Sequence, residues 1–424
     1  MSERIDLLRL LERESAQTEW KENVADVDDV VATISAFAND LQNLGGGYVV
    51  CGAREVRDAH GFPGVERAGL SAARLKEIEN RVLARCRDRV SPPIAPLVEE
   101  LPADTANCRL LVFVQPATGS SHSFRRDADG AKHYVRVSRS TIEARNGLLR
   151  DLLVLKGALE PWDRRPCRGA SVEDLDLLAL REVLQRLGLL DAQQSPERYL
   201  SDRVAISAFV PTLLVREPLT DRLRPRNYAV LLFGRDVQRF IPGAVAYFSR
   251  YAGADRAAPR GERLELAGTL LEQLRLVLPV VEAEAVTLFD KTDSLRPSLS
   301  KYPVRALREA VVNAFVHRDY ERLDPLRITA FPDRLEVLSP GGLPLGSDPQ
   351  TVAEGTAAPH WRNQALAWFL TRLGYAEAEG QGIRTIQNLL QAAGAGPARY
   401  TVDPMRVQCV LPAHPRAGSG AIDA

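Results

Sequence analysis

Three polar residues recur at four-residue intervals within residues 308–320: Glu309, Asn313 and His317. Residues four apart lie on one face of an α-helix, so this spacing predicts a polar stripe on a helix. An amide oxygen can ligate a hard cation such as Mg²⁺, and a carboxylate one turn away can orient or deprotonate a water molecule. The spacing alone leaves two interpretations open, a magnesium-nucleotide site and a solvated polar face.

Two glycine-rich segments follow this helix in the sequence. The first, S-P-G-G-L-P, contains Gly341 and Gly342, and the second, E-G-Q-G-I, contains Gly380 and Gly382. Because glycine has no Cβ, such segments let backbone N–H groups approach phosphate oxygens closely. The sequence contains no G-x-x-x-x-G-K-[ST] loop, so it does not indicate a helicase motor of the P-loop type.

A second set of polar residues lies near the start of the chain. Glu14, Glu19 and Lys21 precede a helical pattern that ends in F-A-N, and a G-G-G run follows it. In isolation this order is typical of a strand, a helix and a strand joined by a glycine turn. Later, between residues 120 and 150, seven basic residues accompany three acidic ones. The local charge is therefore positive there.

Hydrophobic periodicity predicts the elements that position these residues. Helices are expected at residues 28–39, 72–89, 172–187, 263–278, 304–317 and 364–373. Strands are expected at residues 48–51, 110–114, 133–137, 228–233, 244–248, 326–330 and 335–338. The mixture predicts an α/β (α+β) multidomain protein.

The length of 424 residues suggests two or three domains. We expect an α/β domain at residues 1–150, a mixed middle domain at 151–265 and an α/β domain at 266–412. Small and polar residues at 413–424 predict a disordered tail.

Composition excludes several classes of protein. Hydrophobic residues make up 45% of the chain and charged residues 26%, which is typical of a folded globular protein. No apolar run reaches the roughly 18 residues of a membrane-spanning helix, and the first residues do not form a secretion signal. Five scattered cysteines without a C-x-x-C pair predict reduced thiols in a cytoplasmic protein. The formal net charge is zero, so it favours no class of partner.

The later motifs, taken in order, resemble one known family. E-x-x-x-N-A-x-x-H-R-D-Y, D-R-L-E-V-x-S-P-G-G-L-P, R-N and E-G-Q-G-I are similar to the divergent GHKL-type ATP-binding domain found at the C-terminus of RecG-related proteins and transcriptional regulators. The resemblance covers about residues 300–390 and implies an ATP site on a Bergerat-type α/β sandwich. Ser339-Pro340 stands where that family has an aspartate. The implied roles are Glu309 as general base, Asn313 as Mg²⁺ ligand, and His317, Asp333, Gly341, Gly342, Gly380 and Gly382 as nucleotide-binding residues.

The earlier motifs resemble the Schlafen/AlbA-type domain over roughly residues 10–145. The matching segments are E-x-x-x-x-E-W-K, F-A-N, G-G-G and R-V-S-R-S. Such domains bind nucleic acid, and some cut RNA with three metal-binding acids. Glu14 and Glu19 match the first two acids, whereas an arginine stands at the third position, with Glu55 and Asp58 as displaced substitutes. Trp20 is expected to pack in the core. The implied phosphate contacts are Lys21, Arg125, Arg126, Lys132, Arg136 and Arg139.

Together the two resemblances imply an ATP-binding, nucleic-acid-binding regulatory protein, such as a transcriptional regulator, a phage-defence factor or an RNA-processing factor. One alternative is a metal-dependent Schlafen-like nuclease that ATP switches, and another is a scaffold whose two sites hold no ligand. The implied ligands are ATP with Mg²⁺, DNA or RNA, and Mg²⁺ or Mn²⁺ at the N-terminal acids. The sequence leaves weak ATPase activity and homo-oligomerisation open.

Overall fold

The structure, a computed structural model, describes residues 14–57, 63–126, 130–217, 221–258, 260–285, 287–288, 299–343, 347, 349–356, 361–376 and 382–415. The chain divides after Glu160 into two compact units. Helices and sheets occur in both, so the predicted α/β multidomain fold is confirmed.

The described residues of the N-terminal unit form two larger sheets and a two-stranded sheet of β3 and β4. Strands β1, β2, β8 and β5 are hydrogen-bonded in that order, with β7 also beside β8, and β11-β10-β9-β6 form the second sheet. Its strands are β1 (Thr18–Lys21), β2 (Gly46–Cys51), β3 (Arg54–Arg57), β4 (Pro63–Glu66), β5 (Leu70–Ser71), β6 (Val90–Ser91), β7 (Leu97–Pro102), β8 (Cys108–Pro116), β9 (Ser123–Arg125), β10 (Ala131–Val137) and β11 (Ser140–Glu143). Its helices are α1 (Val27–Asn39), α2 (Ala72–Asp88) and α3 (Asn146–Leu155).

Helix α1 forms the centre of the N-terminal core, where it packs against α2, β2 and β10. The Asp26 carboxylate begins the helix by accepting a hydrogen bond from the Asp28 backbone N–H at 2.8 Å. In the glycine run after the helix, packing requires glycine at positions 46 and 47. A Cβ at Gly46 would lie 2.1 Å from the Gln115 carbonyl oxygen, and Gly46 has a φ of +104°. Close approach of two strands therefore explains this glycine without a ligand.

The C-terminal unit is built on a larger sheet. Its strands are β12 (Leu214–Arg216), β13 (Leu223–Pro225), β14 (Ala246–Tyr251), β15 (Arg260–Leu266), β16 (Thr287–Leu288), β17 (Leu299–Ser300), β18 (Leu326–Ala330), β19 (Arg334–Pro340), β20 (Arg399–Asp403) and β21 (Arg406–Pro412). Its helices are α4 (Leu177–Arg186), α5 (Asn227–Phe233), α6 (Val237–Phe240), α7 (Leu270–Glu282), α8 (Val304–His317), α9 (Pro349–Glu354), α10 (Gln364–Arg372) and α11 (Gly382–Ala392). Short 3₁₀ turns lie at Trp162–Arg164, Val172–Asp174 and Pro196–Tyr199.

Six strands of this unit form one sheet in the order β15-β14-β18-β19-β21-β20. Helix α8 packs on β18 and β19, and α7 and α11 pack against α8. One hydrophobic core extends through the unit from Cys167 to Ala413. The sheet and these three helices thus form the layers between which a ligand cavity can lie.

This sheet corrects the predicted domain division. Residues 151–265 and 266–412 were expected to form separate domains, but β14 pairs in parallel with β18 from Ala246↔Leu326 to Arg250↔Ala330. The strands on either side of the predicted boundary therefore share one sheet and one core. The predicted tail also begins too early, because Ala413 and His414 are buried, while residues 416–424 lie outside the described part of the chain.

Two predicted elements are wrong in type. Residues 228–233, expected as a strand, belong to the helix α5, all of whose side chains are buried. A short apolar run has the same pattern in a buried strand and in a buried helix, so periodicity could not decide. The helix expected at 263–278 is the strand β15 followed by the helix α7, which begins at the capping residue Thr269. The predicted bounds of α8 and β18 are correct.

Two further predictions concern the whole chain. All five cysteines are free thiols, as the sequence indicated. Within the residues that the structure covers, no helix is both long enough and apolar enough to cross a bilayer.

Candidate functional site

A cavity in the C-terminal unit is lined by α8, by β19, β20 and β21, and by the first residues of α11. The helix α8 turns its apolar side chains into the core and presents Glu309, Asn313 and His317 to this cavity. Because α8 lies alongside β19, its polar stripe follows the strand. The helical spacing thus brings the three predicted residues to one wall.

Two of these residues meet the start of α11 at one end of the cavity, which we call the Glu309 end. Asn313 Nδ2 donates a hydrogen bond to Glu309 Oε1 at 3.1 Å, and Glu309 is only 7% exposed. A Cβ at Gly382 would lie 2.1 Å from Glu309 Oε1 and 2.7 Å from Asn313 Nδ2. Only glycine fits there without moving the pair. The helix dipole of α11 adds partial positive charge at this point.

The other end of the cavity, the Gly341 end, follows strand β19. Gly341 has a φ of +94°, and a Cβ on it would lie 2.5 Å from the Asp319 Cβ. The Gly342 carbonyl accepts a hydrogen bond from Arg362 Nη2 at 2.8 Å. Both glycines line the cavity, as does His317. This loop is therefore held in a conformation that requires glycine.

The floor of the cavity contains two residues that the sequence did not single out. Tyr400 of β20 and Cys409 of β21 are direct cross-strand neighbours, and both line the cavity. Burial raises the pKa of the Cys409 thiol to about 12 and, together with the neighbouring Cys409 and Glu309, raises the pKa of Tyr400 well above its usual range. Both side chains therefore stay protonated at physiological pH. A tyrosine and a cysteine on short strands are typical of core packing. The sequence therefore contains no signal that marks Tyr400 and Cys409 as cavity residues.

Two nucleotide-binding predictions do not reach this cavity. Asp333 lies in the turn before β19, where its side chain is 58% exposed and pairs with Arg334 at 2.9 Å. Strand β19 separates it from the Gly341 end by roughly 26 Å, so the prediction for Asp333 is wrong. Gly380 lies outside the described residues.

The N-terminal acids are held by basic and backbone partners. Glu14 Oε1 accepts a hydrogen bond from the Trp20 backbone N–H at 2.8 Å. Glu19 pairs with Arg136 at 2.7 Å and with Lys21 at 2.9 Å. In the part of the chain that the structure covers, no group of three or more His, Cys, Asp or Glu residues could hold a metal ion. Among the described residues, Glu14 and Glu19 therefore belong to no such group.

Arginine replaces the third metal-binding acid that the Schlafen/AlbA-type resemblance implies. Arg54, the arginine that replaces it, pairs with Glu66 at 2.6 Å and Glu22 at 3.0 Å. Glu55 is exposed on β3, and Asp58 lies outside the described residues. Trp20 is 6% exposed, which confirms its predicted place in the core.

Four of the predicted phosphate contacts have acidic partners within the unit. Arg136 is 4% exposed and bound to Glu19, so its prediction as a phosphate contact is wrong. Arg126 pairs with Asp26 and Asp29. The remaining pairs are Lys21 with Glu19 and Lys132 with Glu143, the latter at 3.8 Å.

Arg125 and Arg139 remain exposed. Arg125 pairs with Ala131 at the start of β10, and Arg139 lies in the turn after Val137 at its end. They therefore stand roughly 20 Å apart along one strand.

A segment of each unit matches a known family. Residues 14–145 match the family described as "Schlafen, AlbA_2". Residues 324–411 match the family described as "Putative ATP-dependent DNA helicase recG C-terminal". The chain joins a Schlafen AlbA_2 domain to a RecG C-terminal-type domain. These families indicate nucleotide use by the RecG C-terminal-type domain and a nucleic-acid-related function for the chain.

The RecG C-terminal-type match includes Gly341, Gly382 and Tyr400 but begins after α8. The place of Glu309 and Asn313 in the cavity therefore rests on the geometry of α8.

Two solved structures are similar in part. The DIP2311 protein of Corynebacterium diphtheriae is 18% identical over 93% of this chain and 75% of its own, with a TM-score of 0.44. The N-terminal domain of a "Putative ATP-dependent DNA Helicase RecG-related Protein" of Nitrosomonas europaea is 19% identical over 26% of this chain and 69% of its own, with a TM-score of 0.22. No curated protein matches the chain.

Proposed function

We propose that this chain is a nucleotide-binding and nucleic-acid-binding regulatory protein whose C-terminal cavity takes Mg-ATP. One observation supports this most strongly. Asn313 and Glu309 of α8 meet Gly382 at the start of α11, where a Cβ would lie 2.1 Å from the carboxylate. An amide, a carboxylate one turn away and a helix N-terminus suit a cation bound to phosphates.

Each residue at the Glu309 end has a distinct role in this proposal. Asn313 holds the magnesium ion through its side-chain oxygen, because its side-chain nitrogen already donates to Glu309. Bound Mg²⁺ neutralises charge on the phosphates. Glu309 orients a water molecule and accepts its proton, which supports slow hydrolysis. The α11 N-terminus at Gly382 contributes partial positive charge next to the phosphates.

The Gly341 end takes the nucleoside. Ser339, which stands where the GHKL resemblance expects an aspartate, donates its hydroxyl proton to the Ala314 carbonyl at 2.8 Å. The Ser339 Oγ is thereby left as a hydrogen-bond acceptor. An adenine amine is a donor, so this serine offers the property that the aspartate would supply.

The Schlafen AlbA_2 domain binds nucleic acid in this proposal without cutting it. Arg125 and Arg139 are exposed and supply phosphate contacts. Glu19, which a nuclease site would need as a metal ligand, is neutralised by Arg136 and Lys21. These ion pairs therefore favour a nucleic-acid-binding regulator over the alternative of a metal-dependent nuclease.

Titration calorimetry with Mg-ATP tests the nucleotide part. Asn313→Ala removes a ligand oxygen and is expected to weaken Mg²⁺-dependent binding about tenfold or more. Glu309→Ala is expected to spare binding and to lower hydrolysis, since this carboxylate acts on water. The exposed amide Gln391 of α11 provides a matched control, because Gln391→Ala leaves the cavity unchanged. Equal affinity in wild type and Asn313→Ala would move the site elsewhere.

Incubation with labelled RNA and DNA tests the nucleic-acid part. Pure protein is mixed with each, with Mg²⁺ or Mn²⁺, and with or without ATP. The expected result is a mobility shift without cleavage, and ATP is expected to change the shift because the protein is proposed to be regulatory. Cleavage that disappears in Glu19→Ala would support the nuclease instead. If the protein neither shifts nor cleaves RNA or DNA, the proposal that this domain binds nucleic acid is contradicted.

A further inference from the structure

A buried phenol oxygen lies at the floor of the cavity, on a tyrosine whose ring packs against the hydrophobic core. Tyr400 pairs across the strands with Cys409, which pairs in turn with Val337, so these three side chains form a row facing the cavity. The Tyr400 hydroxyl oxygen is buried, and apart from the adjacent Cys409 thiol it has no hydrogen-bond partner among the described residues. A thiol is only a weak donor and acceptor. A buried donor without a partner is unfavourable unless a ligand supplies one.

The row lies at the Glu309 end of the cavity. Ser339 Oγ donates to the Ala314 carbonyl, which aligns β19 with the last turns of α8. Val337 comes two residues earlier on β19 and so lies beside the turn of α8 that holds Glu309. The Gly341 end is four residues further along β19 than Val337, roughly 13 Å away. Tyr400 is therefore on the phosphate side of the site and not on the nucleoside side.

We propose that the Tyr400 hydroxyl donates a hydrogen bond to the terminal phosphate of the bound nucleoside triphosphate. The contact makes Tyr400 the residue that distinguishes a triphosphate from shorter nucleotides. This proposal rests on the proposed nucleotide site and adds a donor from the sheet opposite Asn313. Burial keeps the phenol protonated, so it remains a donor across the physiological pH range.

The test compares Tyr400→Phe with a matched variant, Tyr302→Phe. Tyr302 is also a buried tyrosine whose hydroxyl has no partner among the described residues, but it does not line the cavity. Calorimetry measures the affinity of each protein for Mg-ATP, ADP and adenosine, and thermal unfolding without ligand checks the fold. Each substitution removes a buried hydroxyl group that makes no strong hydrogen bond. Neither variant is therefore expected to unfold at a lower temperature than wild type.

We expect Tyr400→Phe to weaken Mg-ATP binding about 10- to 100-fold, the range of a hydrogen bond to a charged group, while adenosine binding is unchanged. Tyr302→Phe is expected to bind all three ligands as wild type does. Equal Mg-ATP affinity in Tyr400→Phe and wild type would overturn the contact alone, as would an equal loss for adenosine. A wild-type protein that binds no nucleotide would overturn the proposed function and this contact together.

Discussion

Asp163 is a fully buried carboxylate at the start of the C-terminal unit. Its Oδ2 accepts hydrogen bonds from the backbone N–H groups of Ala365 at 2.7 Å and Leu366 at 3.3 Å, at the N-terminus of α10. Burial raises the pKa of Asp163 to about 6, although these two hydrogen bonds lower it in part. This carboxylate therefore fixes the N-terminus of a core helix.

The raised pKa predicts a pH-dependent stability. The pKa of Asp163 in the folded protein, about 6, exceeds the ordinary value of 3.8. Protonation of Asp163 therefore stabilises the folded state fully below pH 3.8, and this stabilisation is lost as the pH rises through 6. Asp163→Asn keeps an acceptor without the charge. We expect this variant to be more stable than wild type at pH 7.5, by on the order of 2–3 kcal/mol, and the difference to shrink at pH 5. Denaturant unfolding at both pH values measures it, and a difference independent of pH would contradict this account.

Residue roles were predictable where spacing along one helix decides them. Glu309 and Asn313 meet because residues four apart on a helix share a face, and the sequence contains that spacing. The partners of Arg136 and Tyr400 are fixed by strand pairing between distant segments, which spacing does not encode. Asn39 shows the same limit, since the F-A-N motif ends in a buried amide that binds the His122 and Tyr134 carbonyls.

At the scale of elements, the β10–β11 hairpin holds two arginines with different environments. Arg136 is 4% exposed and pairs with Glu19 of β1, whereas Arg139 is exposed in the turn. One arginine therefore joins the two larger sheets of the N-terminal unit, and the other is available to a partner. The resemblance to the Schlafen/AlbA-type domain implied that both are phosphate contacts.

Substituting each arginine separates these roles. Arg136→Ala removes one of the two basic partners of the Glu19 carboxylate and leaves only Lys21. The substitution is expected to lower the free energy of unfolding by about 3 kcal/mol. Arg139→Ala is expected to leave stability within about 0.5 kcal/mol of wild type. If Arg139 contacts a phosphate, the slope of log affinity against log salt should flatten by about 0.7–0.9. Denaturant unfolding and nucleic-acid titrations at several salt concentrations provide both readouts, and a salt slope unchanged in Arg139→Ala would exclude that contact.

At the scale of the whole molecule, the boundary after Glu160 gives two units, each with its own core. We expect fragments 1–160 and 161–424 to unfold cooperatively when expressed separately. A fragment ending at residue 265 would separate β14 from its partner strand β18 and is expected not to fold. Circular dichroism and thermal unfolding of the fragments measure this, and a cooperatively folded 151–265 fragment would restore the predicted three-domain division.

How much of this architecture the sequence could predict depends on the range of the contacts. The helix α8 and the strand β18 follow from local periodicity, and their bounds were predicted correctly. The joining of β14 to β18 links residues about 80 positions apart, and no local pattern shows which strands become neighbours. The cavity floor at Tyr400 depends on the same long-range pairing.

The central claim is that the point where α8 meets α11 binds the phosphates of Mg-ATP. Gly382→Ala tests it directly by calorimetry, because the added methyl group would lie 2.7 Å from Asn313 Nδ2 and would displace the amide that is proposed to hold Mg²⁺. Both Asn313 and Glu309 meet Gly382 with flexible side-chain ends, which can move without unfolding the core. Gly147→Ala is the control, since that helical glycine has nothing within 4 Å of an added Cβ. The account predicts that wild type and Gly147→Ala bind Mg-ATP alike and that Gly382→Ala binds about tenfold more weakly or worse. Equal affinity in all three proteins, or no binding in wild type, would contradict it.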